Sequence, residues 1–172
     1  MPELWTKDGY SLRPARAEDA EEYYAGNFCP LDWEVARLTG SREQYTREEV
    51  ISFFHKSLKE DRYQLLILSP EGRIVGETVI NEIDRVHGCA NFRIAIFHGA
   101  HRNRGIGTWA TEVTRDFAFG ELKLSRLELE VFPFNPRARA VYRKAGFREI
   151  APAGDDHGIL MAMLRKDWKN MA

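Results

Sequence analysis

Seven residues near the middle of the chain, Arg102-Asn103-Arg104-Gly105-Ile106-Gly107-Thr108, have the composition of a turn that holds an anion. The apolar run Ile94-Ala95-Ile96-Phe97 precedes them, and a helical pattern from Trp109 to Phe119 follows. In a strand, turn and helix start of this kind, the first backbone N–H groups of the helix have no intrahelical partner. The helix macrodipole adds partial positive charge at the same point. Glycine brings no Cβ between the backbone and a phosphate, so the approach can be close. His98 and His101 flank the turn, and imidazole titrates in the range that suits proton transfer. A solvated basic loop with two turn glycines would have the same composition, so the weight of this signal depends on the elements around it.

Those elements belong to an ordinary globular chain. Its 172 residues correspond to one domain, residues 1–172, long enough to bury a substantial core. The 25 basic and 26 acidic residues leave a formal net charge of −1, so no global field attracts nucleic acid or a membrane surface. The basic residues of the turn and of Arg137–Lys144 are the sole support for a nucleic-acid reading, and the balanced charge opposes it. Cys29 and Cys89 match no metal-ligand spacing, and two cysteines are too few for a disulfide framework. Met1-Pro2-Glu3-Leu4-Trp5 lacks the basic and apolar regions of a signal peptide, and no apolar run approaches the ~20 residues of a membrane span. A cytoplasmic protein without a metal is expected.

Taken in order, Leu4 to Arg13 predicts a strand region with Asp8-Gly9 as a turn, and Ala17 to Ala25 a helix closed by Gly26-Asn27. Leu31 to Leu38 suggests a short helix. Thr46 and Glu49 form a capping box for a helix from Arg47 to about Lys59, with Phe53 and Phe54 expected in the core. The period then changes to two. Strands at 63–68, 73–83 and 91–97, with turns at Pro70–Gly72 and His87-Gly88, form an antiparallel meander whose last strand feeds the glycine turn. The helix after Gly107 leads to an alternating strand at Leu127–Val131. Asn135-Pro136 then starts a helix that Gly146 stops. Two strands, 147–150 and 159–164, end the pattern. A helix joining the meander to the Leu127 strand acts as a crossover between parallel neighbours, so an α/β (α+β) fold with a mixed, mostly antiparallel sheet is expected, with helices packed on both faces.

Three segments together resemble the GNAT superfamily of acyl-CoA-dependent N-acetyltransferases. They are the strand Ile94–Phe97, the turn Arg102-x-x-Gly105-x-Gly107-Thr108, and Asn135-Pro136-Arg137-Ala138-x-x-x-Tyr142-x-Lys144-x-Gly146-Phe147. Ser11-Leu12-Arg13-Pro14-Ala15-x-x-Glu18-Asp19 is similar to the opening of the branch that holds ribosomal-protein and spermidine N-acetyltransferases. The resemblance implies acetyl-CoA as co-substrate. Its pyrophosphate would lie on the N–H groups of Arg102, Arg104, Gly105, Ile106, Gly107 and Thr108, with the two guanidiniums adding charge-assisted bonds. Its pantetheine arm would pair with edge groups of Ile94, Ile96 and Phe97, and Asn135 would bond that arm. Tyr142 stands where many members place the tyrosine that protonates the departing thiolate.

The reaction so implied is acetyl transfer to a primary amine, whether a protein N-terminus, a polyamine or a small metabolite, by direct attack on the thioester. An alkyl amine of pKa ~10.4 is almost wholly protonated at neutral pH, so its proton must go to a base or to water. Many relatives carry a glutamate at the start of the third meander strand, and here Asn91 stands there, unable to accept a proton. Glu77, Glu82, Asp84 or a water chain are the alternatives; period two puts Glu82 and Asp84 on one strand face and Glu77 on the other. Asn91 also leaves open a non-catalytic module of the same fold that binds acetyl-CoA as a regulatory ligand. Asp32, Glu34, Asp155 and Asp156 could draw a cationic amine to the acceptor side, built in this fold by residues 27–45 and 151–158. Pairing of exposed strands makes a homo-oligomer possible.

Overall fold

The structure, a computed structural model, describes residues 4–171. The start of the segment judged not to be a signal peptide, Met1–Glu3, therefore lies outside the described residues. The first strand region is a hairpin: β1 (Trp5–Lys7) and β2 (Tyr10–Pro14) turn at Asp8-Gly9. A single 3-10 turn over Ala17–Asp19 leads into α1 (Ala20–Asn27), so Gly26 and Asn27 lie inside the helix they were expected to close. The short second helix begins two residues later than its apolar pattern suggests. Asp32 caps α2 (Trp33–Thr39), its carboxylate accepting from the N–H of Glu34 at 3.0 Å and of Val35 at 3.1 Å. The Thr46–Glu49 capping box opens α3 (Arg47–Ser57).

Strands β3 (Tyr63–Leu68), β4 (Ile74–Asp84) and β5 (Cys89–Ile96) form the antiparallel meander. Then come α4 (Ile106–Gly120), β6 (Arg126–Val131), α5 (Pro136–Ala145), β7 (Arg148–Ala151), β8 (Ile159–Leu164) and a short α6 (Arg165–Lys169) that the sequence pattern did not mark. One sheet takes all eight described strands in the order β1-β2-β3-β4-β5-β6-β8-β7. Only β5 and β6 run parallel among consecutive neighbours, and α4 is the crossover between them.

Three clusters make the core. Ile106 and Ala110 of α4 pack on Leu12, Ile67 and Val75, while Phe117 and Ala118 of the same helix pack with Phe92, Leu127, Tyr142 and Phe147. Tyr23, Val35, Phe54 and Phe97 join α1, α2 and α3 to the sheet. Phe54 is buried as expected, but Phe53 is 61% exposed: the two are adjacent on a helix, so only one faces the sheet. Helix α4 is also pinned by polar contacts. Thr114 and Thr78 share a buried hydrogen bond of 2.8 Å, and Arg115 Nη1 donates at 2.7 Å to the carbonyl of Ala145 at the end of α5.

Candidate active site

The parity of β5 decides what its edge can hold. Phe97 N–H donates to Val75 O at 2.9 Å, and the register pairs Ala95 with Glu77 and Arg93 with Val79. In an antiparallel ladder the hydrogen-bonded positions alternate, so residues 93, 95 and 97 direct their backbone groups at β4. Phe92, Ile94 and Ile96 direct theirs at the opposite edge. There β6 pairs with β5 only over Cys89–Asn91 and then diverges. The N–H and C=O of Ile94 and the N–H of Ile96 thus open into a splayed gap, while the Ile96 carbonyl takes a hydrogen bond from Arg102 Nη2 at 3.3 Å. Phe97, grouped with the edge by sequence, has its N–H committed to β4 and its ring buried against Tyr23 and Phe28. Its part in the site is to hold the strand end in place.

Beyond β5 the chain makes one 3-10 turn (Gly99–His101) and enters the glycine turn. The two histidines secure this passage. His98 donates from Nε2 to the carbonyl of Gly26 (2.9 Å) and to Asn27 Oδ1 (3.0 Å), and His101 Nδ1 shares a 2.7 Å hydrogen bond with Tyr10 OH. Burial, with the nearby His98 and Arg104, pushes the His101 imidazole below its ordinary value. Both rings serve as anchors of the loop.

Asn103 (φ 61) and Gly105 (φ 76) take left-handed backbone conformations, and Gly105 is the N-cap of α4. A residue with a Cβ would be strained at Gly105. The space there is open: the nearest atom to a Cβ placed at Gly105 would be Lys7 Nζ, at 4.0 Å. The N–H groups of Ile106, Gly107 and Thr108 head the helix without intrahelical partners, while the Ile106 side chain is buried beneath them. Lys7, from the far end of the sequence, adds a cation that no local pattern could have signalled.

The two arginines of the turn have different settings. Arg104 is exposed. Arg102, its side chain 14% exposed, turns inward: Nη1 donates to Glu34 Oε2 at 3.0 Å, and Nη2 lies 3.9 Å from Asp32 Oδ1. Its guanidinium is therefore committed to α2 rather than presented with Arg104. The same helix reaches the other lip of the gap. Arg37 stacks over Phe134 (5.2 Å to the ring centre), and a Cβ on Gly40 would sit 3.1 Å from the Phe132 ring. Asp155 and Asp156 lie exposed in the loop between β7 and β8.

On the β6 side, Asn135 caps α5, its Oδ1 accepting from Ala138 N–H at 3.2 Å, which leaves its amide nitrogen for another partner. Two turns on, Tyr142 is 7% exposed, edge-on to Phe92 and Phe147. Its hydroxyl makes no hydrogen bond to any described residue. Burial raises the phenol well above its ordinary value, against a smaller opposing effect of Arg93, so it is held protonated.

The three carboxylates are separated by a bulge. Glu82 has φ 50, and the register shifts between Asn81 and Asp84, so Asp84 sits opposite Cys89 on the Glu77 face. The strict period-two expectation, which put Asp84 with Glu82 and apart from Glu77, is overturned by that extra residue. Asp84 serves the turn, accepting from Val86 N–H, His87 N–H and the His87 ring, and Glu82 is exposed. Asn91 donates to Asn81 Oδ1 at 2.9 Å. Only Glu77 faces the interior: it accepts from Tyr23 OH at 2.9 Å and Gln64 Nε2 at 2.6 Å.

A splayed parallel pair, a glycine turn at a helix start and a buried tyrosine beside the gap define an acyl-CoA transferase architecture. The Acetyltransferase (GNAT) domain family matches residues 11–148, and the chain belongs to this family; it is an acyltransferase of the N-acetyltransferase class, and the family uses acetyl-CoA. It is 28% identical, over an alignment of 171 residues, to the probable N-acetyltransferase YjcK of Bacillus subtilis (strain 168), covering 91% of this chain and 94% of that protein. The fold matches spermidine N-acetyltransferase from Vibrio cholerae, in complex with CoA and spermine, with a TM-score of 0.83 at 19% identity, covering 95% of this chain and all of that one. It also matches ribosomal-protein-S5-alanine acetyltransferase from Vibrio fischeri, with a TM-score of 0.78 at 16% identity, over 96% and 98% of the two chains. Among the described residues no helix is long and apolar enough to cross a membrane, and no cluster of His, Cys, Asp or Glu could hold a metal ion.

Proposed function

We propose that this protein transfers the acetyl group of acetyl-CoA to a primary amine by direct attack of the amine on the thioester. The observation that carries this reading is the continuous path from the unpaired edge of Ile94 and Ile96 to the uncapped N–H groups behind Gly105, with Tyr142 buried alongside. Acetyl-CoA supplies an acetyl group already activated as a thioester. The backbone groups of Ile94 and Ile96 bond its amide arm as a further strand would, and the Asn135 amide nitrogen holds the same arm from the α5 side. Gly105, Ile106, Gly107 and Thr108 cradle the diphosphate, which Arg104 and Lys7 neutralise. Tyr142, kept protonated by burial, delivers its proton to the departing sulfur.

The acceptor class remains that of a primary amine: a polyamine, as the Vibrio cholerae relative suggests, a peptide or protein N-terminus, or a small metabolite. A cytoplasmic setting, where acetyl-CoA is at hand, belongs to the same reading. So does self-association through the sheet edges at β1 and β7, which leave backbone groups unpaired. The test is thiol release from acetyl-CoA with spermidine, an aminoglycoside and short peptides with free N-termini. Acceptor-dependent release is expected for at least one of them. Asn91, an amide where many relatives place a glutamate, favours the second reading, a regulatory acetyl-CoA-binding module. Thermal stabilisation by acetyl-CoA with no release for any amine would establish that reading instead.

A further inference from the structure

Helix α2 is tied to both lips of the gap, by contacts of different kinds. On the β5 side, Arg102 Nη2 donates to the Ile96 carbonyl at 3.3 Å and Nη1 to Glu34 Oε2 at 3.0 Å, which joins the first turn of α2 to the strand edge itself. On the β6 side, the Arg37 guanidinium lies over Phe134, 5.2 Å from the ring centre. Phe134 stacks on Phe132, with ring centres 5.0 Å apart and planes at 10°. Phe132 in turn backs on Gly40, whose Cβ position is 3.1 Å from the ring. Glu34 and Arg37, three residues apart, share one face of the helix, while Val35 and Ala36 are buried. That shared face therefore bridges the gap.

The charges on it do not suit a polycation. Asp32 accepts from the N–H groups of Glu34 and Val35 and lies 3.9 Å from Arg102, and Glu34 pairs with Arg102, so both acids of α2 are spent within the fold. Arg37 makes no ion pair with any described residue. Nor does Arg137, exposed in the first turn of α5 three residues beyond Phe134. The opposing charges are Asp155 and Asp156, exposed in the β7–β8 loop that the Gly158 N–H fastens to Glu130; neither pairs with Arg37. Phe134 covers one face of the guanidinium, which leaves its fork of N–H groups for a planar anion. Apolar surface flanks it: Trp33, one turn earlier, is 66% exposed, and Phe134 is 48% exposed. A free fork between exposed rings matches a carboxylate beside an apolar side chain. Position along α5 sets the size of the molecule. Asn135 follows Phe134, and Tyr142 is seven residues on, about 10 Å of helix at a rise of about 1.5 Å per residue. Two or three extended amino-acid residues, at about 3.3–3.6 Å each, cover a span of that order.

We propose that Arg37 is a specificity-determining residue, oriented by Phe134, that selects as acceptor a short peptide with a free C-terminal carboxylate and an apolar side chain beside it, in preference to a polyamine. The inference rests on the acetyltransferase reading above and narrows its acceptor class. The carboxylate meets the Arg37 fork while the α-amine reaches into the gap toward the thioester. The α-ammonium gives up one proton to solvent. Its nitrogen then bonds to the acetyl carbon as the carbon–sulfur bond breaks, and the surplus proton on nitrogen balances the one that sulfur takes. The products are the N-acetyl peptide, the CoA thiol and one proton.

The test measures kcat/KM, at saturating acetyl-CoA, for a tripeptide ending in phenylalanine as its free acid, for its C-terminal amide and for spermidine. The proteins are the wild type, Arg37→Gln, Arg37→Lys and Phe134→Leu. The wild type should prefer the free acid to the amide by about tenfold, the worth of one charge-assisted pair, and should use spermidine less well than either. Arg37→Gln should bring the acid-to-amide ratio close to one. Arg37→Lys keeps the charge without the planar fork and should retain part of the preference. Phe134→Leu keeps the charge but frees its orientation, so the ratio should fall there too. A ratio of two substrates on one protein is not moved by a loss of folded enzyme, which separates selection from stability. An unchanged ratio in Arg37→Gln, or a wild type that uses spermidine better than the free acid, would overturn this proposal while leaving the acetyltransferase reading intact. No thiol release with these acceptors or any other amine tried would overturn both.

Discussion

Arg102 donates to Glu34 at 3.0 Å and so binds the glycine turn to the first turn of α2. One arginine of the glycine turn is thereby spent on α2, whereas Arg104 stays exposed beside the open glycine. The two substitutions should separate accordingly. Arg104→Ala is expected to weaken acetyl-CoA by about tenfold, the worth of one charge-assisted bond, and to lessen its salt dependence. Arg102→Ala should change acetyl-CoA affinity by less than about threefold on the same scale and raise the acceptor KM, because α2 loses its tie. Calorimetry of acetyl-CoA binding alongside acceptor kinetics checks this; equal losses of acetyl-CoA affinity would show that Arg102 reaches the phosphates after all.

Gly105 is the residue of the turn least open to replacement. Its φ of 76° costs a residue with a Cβ about 1–2 kcal/mol. Gly105→Val should lower stability by about that much and, by displacing the N–H groups at the head of α4, weaken acetyl-CoA more than tenfold. Gly72 has a similar φ of 80° but lies in an open turn, so Gly72→Ala should show the strain without the binding loss. Melting curves with and without acetyl-CoA separate the two effects.

Tyr142→Phe removes a hydroxyl that bonds to no described protein group, so it should neither unfold the protein nor loosen acetyl-CoA. Its kcat should fall by about 10²-fold, the usual worth of a positioned proton donor. Because burial raises the phenol, the wild-type donor stays protonated through the ordinary tyrosine value of 10.0 and is lost only above it. The wild-type kcat should therefore show no alkaline limb below that pH. An alkaline limb at neutral pH that survives in Tyr142→Phe would assign the limb to another group and remove Tyr142 as its source.

Asp19 supplies a pH dependence of stability that is independent of the site. Burial acts to raise its carboxyl, but bidentate donation from Arg13, with both distances 2.8 Å, and the Arg16 N–H hold it below its unfolded value of 3.8. A depressed folded value stabilises above 3.8 and loses that stability as pH falls through the folded value. Asp19→Asn should cost about 1–3 kcal/mol at neutral pH, and the gap from wild type should close in strong acid. Thermal melts across acidic pH measure it; a gap that stays constant would rule out the ion pair as its source.

Much of this protein can be read without coordinates, because the controlling signals are local. The capping box at Thr46 and Glu49, the Asn135-Pro136 start, the alternation of Leu127, Leu129 and Val131, and the glycines at 105 and 107 each act within a few residues. Together they identify the meander, the crossover and the glycine turn at the head of α4, and through these the family. Among the carboxylates the pattern misled because of a single backbone residue: Glu82, in a left-handed conformation, inserts a bulge that moves Asp84 to the opposite face, and period two has no means of counting it.

The direction of each side chain was decided by tertiary contact. Arg102 reads as a phosphate ligand until Glu34, 68 residues away in sequence, claims it. Lys7 reads as a surface lysine until the β1–β2 hairpin brings it to Gly105. Glu77 is one acid among several until Tyr23 and Gln64, from a helix and a neighbouring strand, close on its two oxygens. Sequence spacing fixes which residues share an element; the partner a charged group finds depends on how elements pack. In a low-dielectric interior that partner sets both the orientation of the group and its proton affinity.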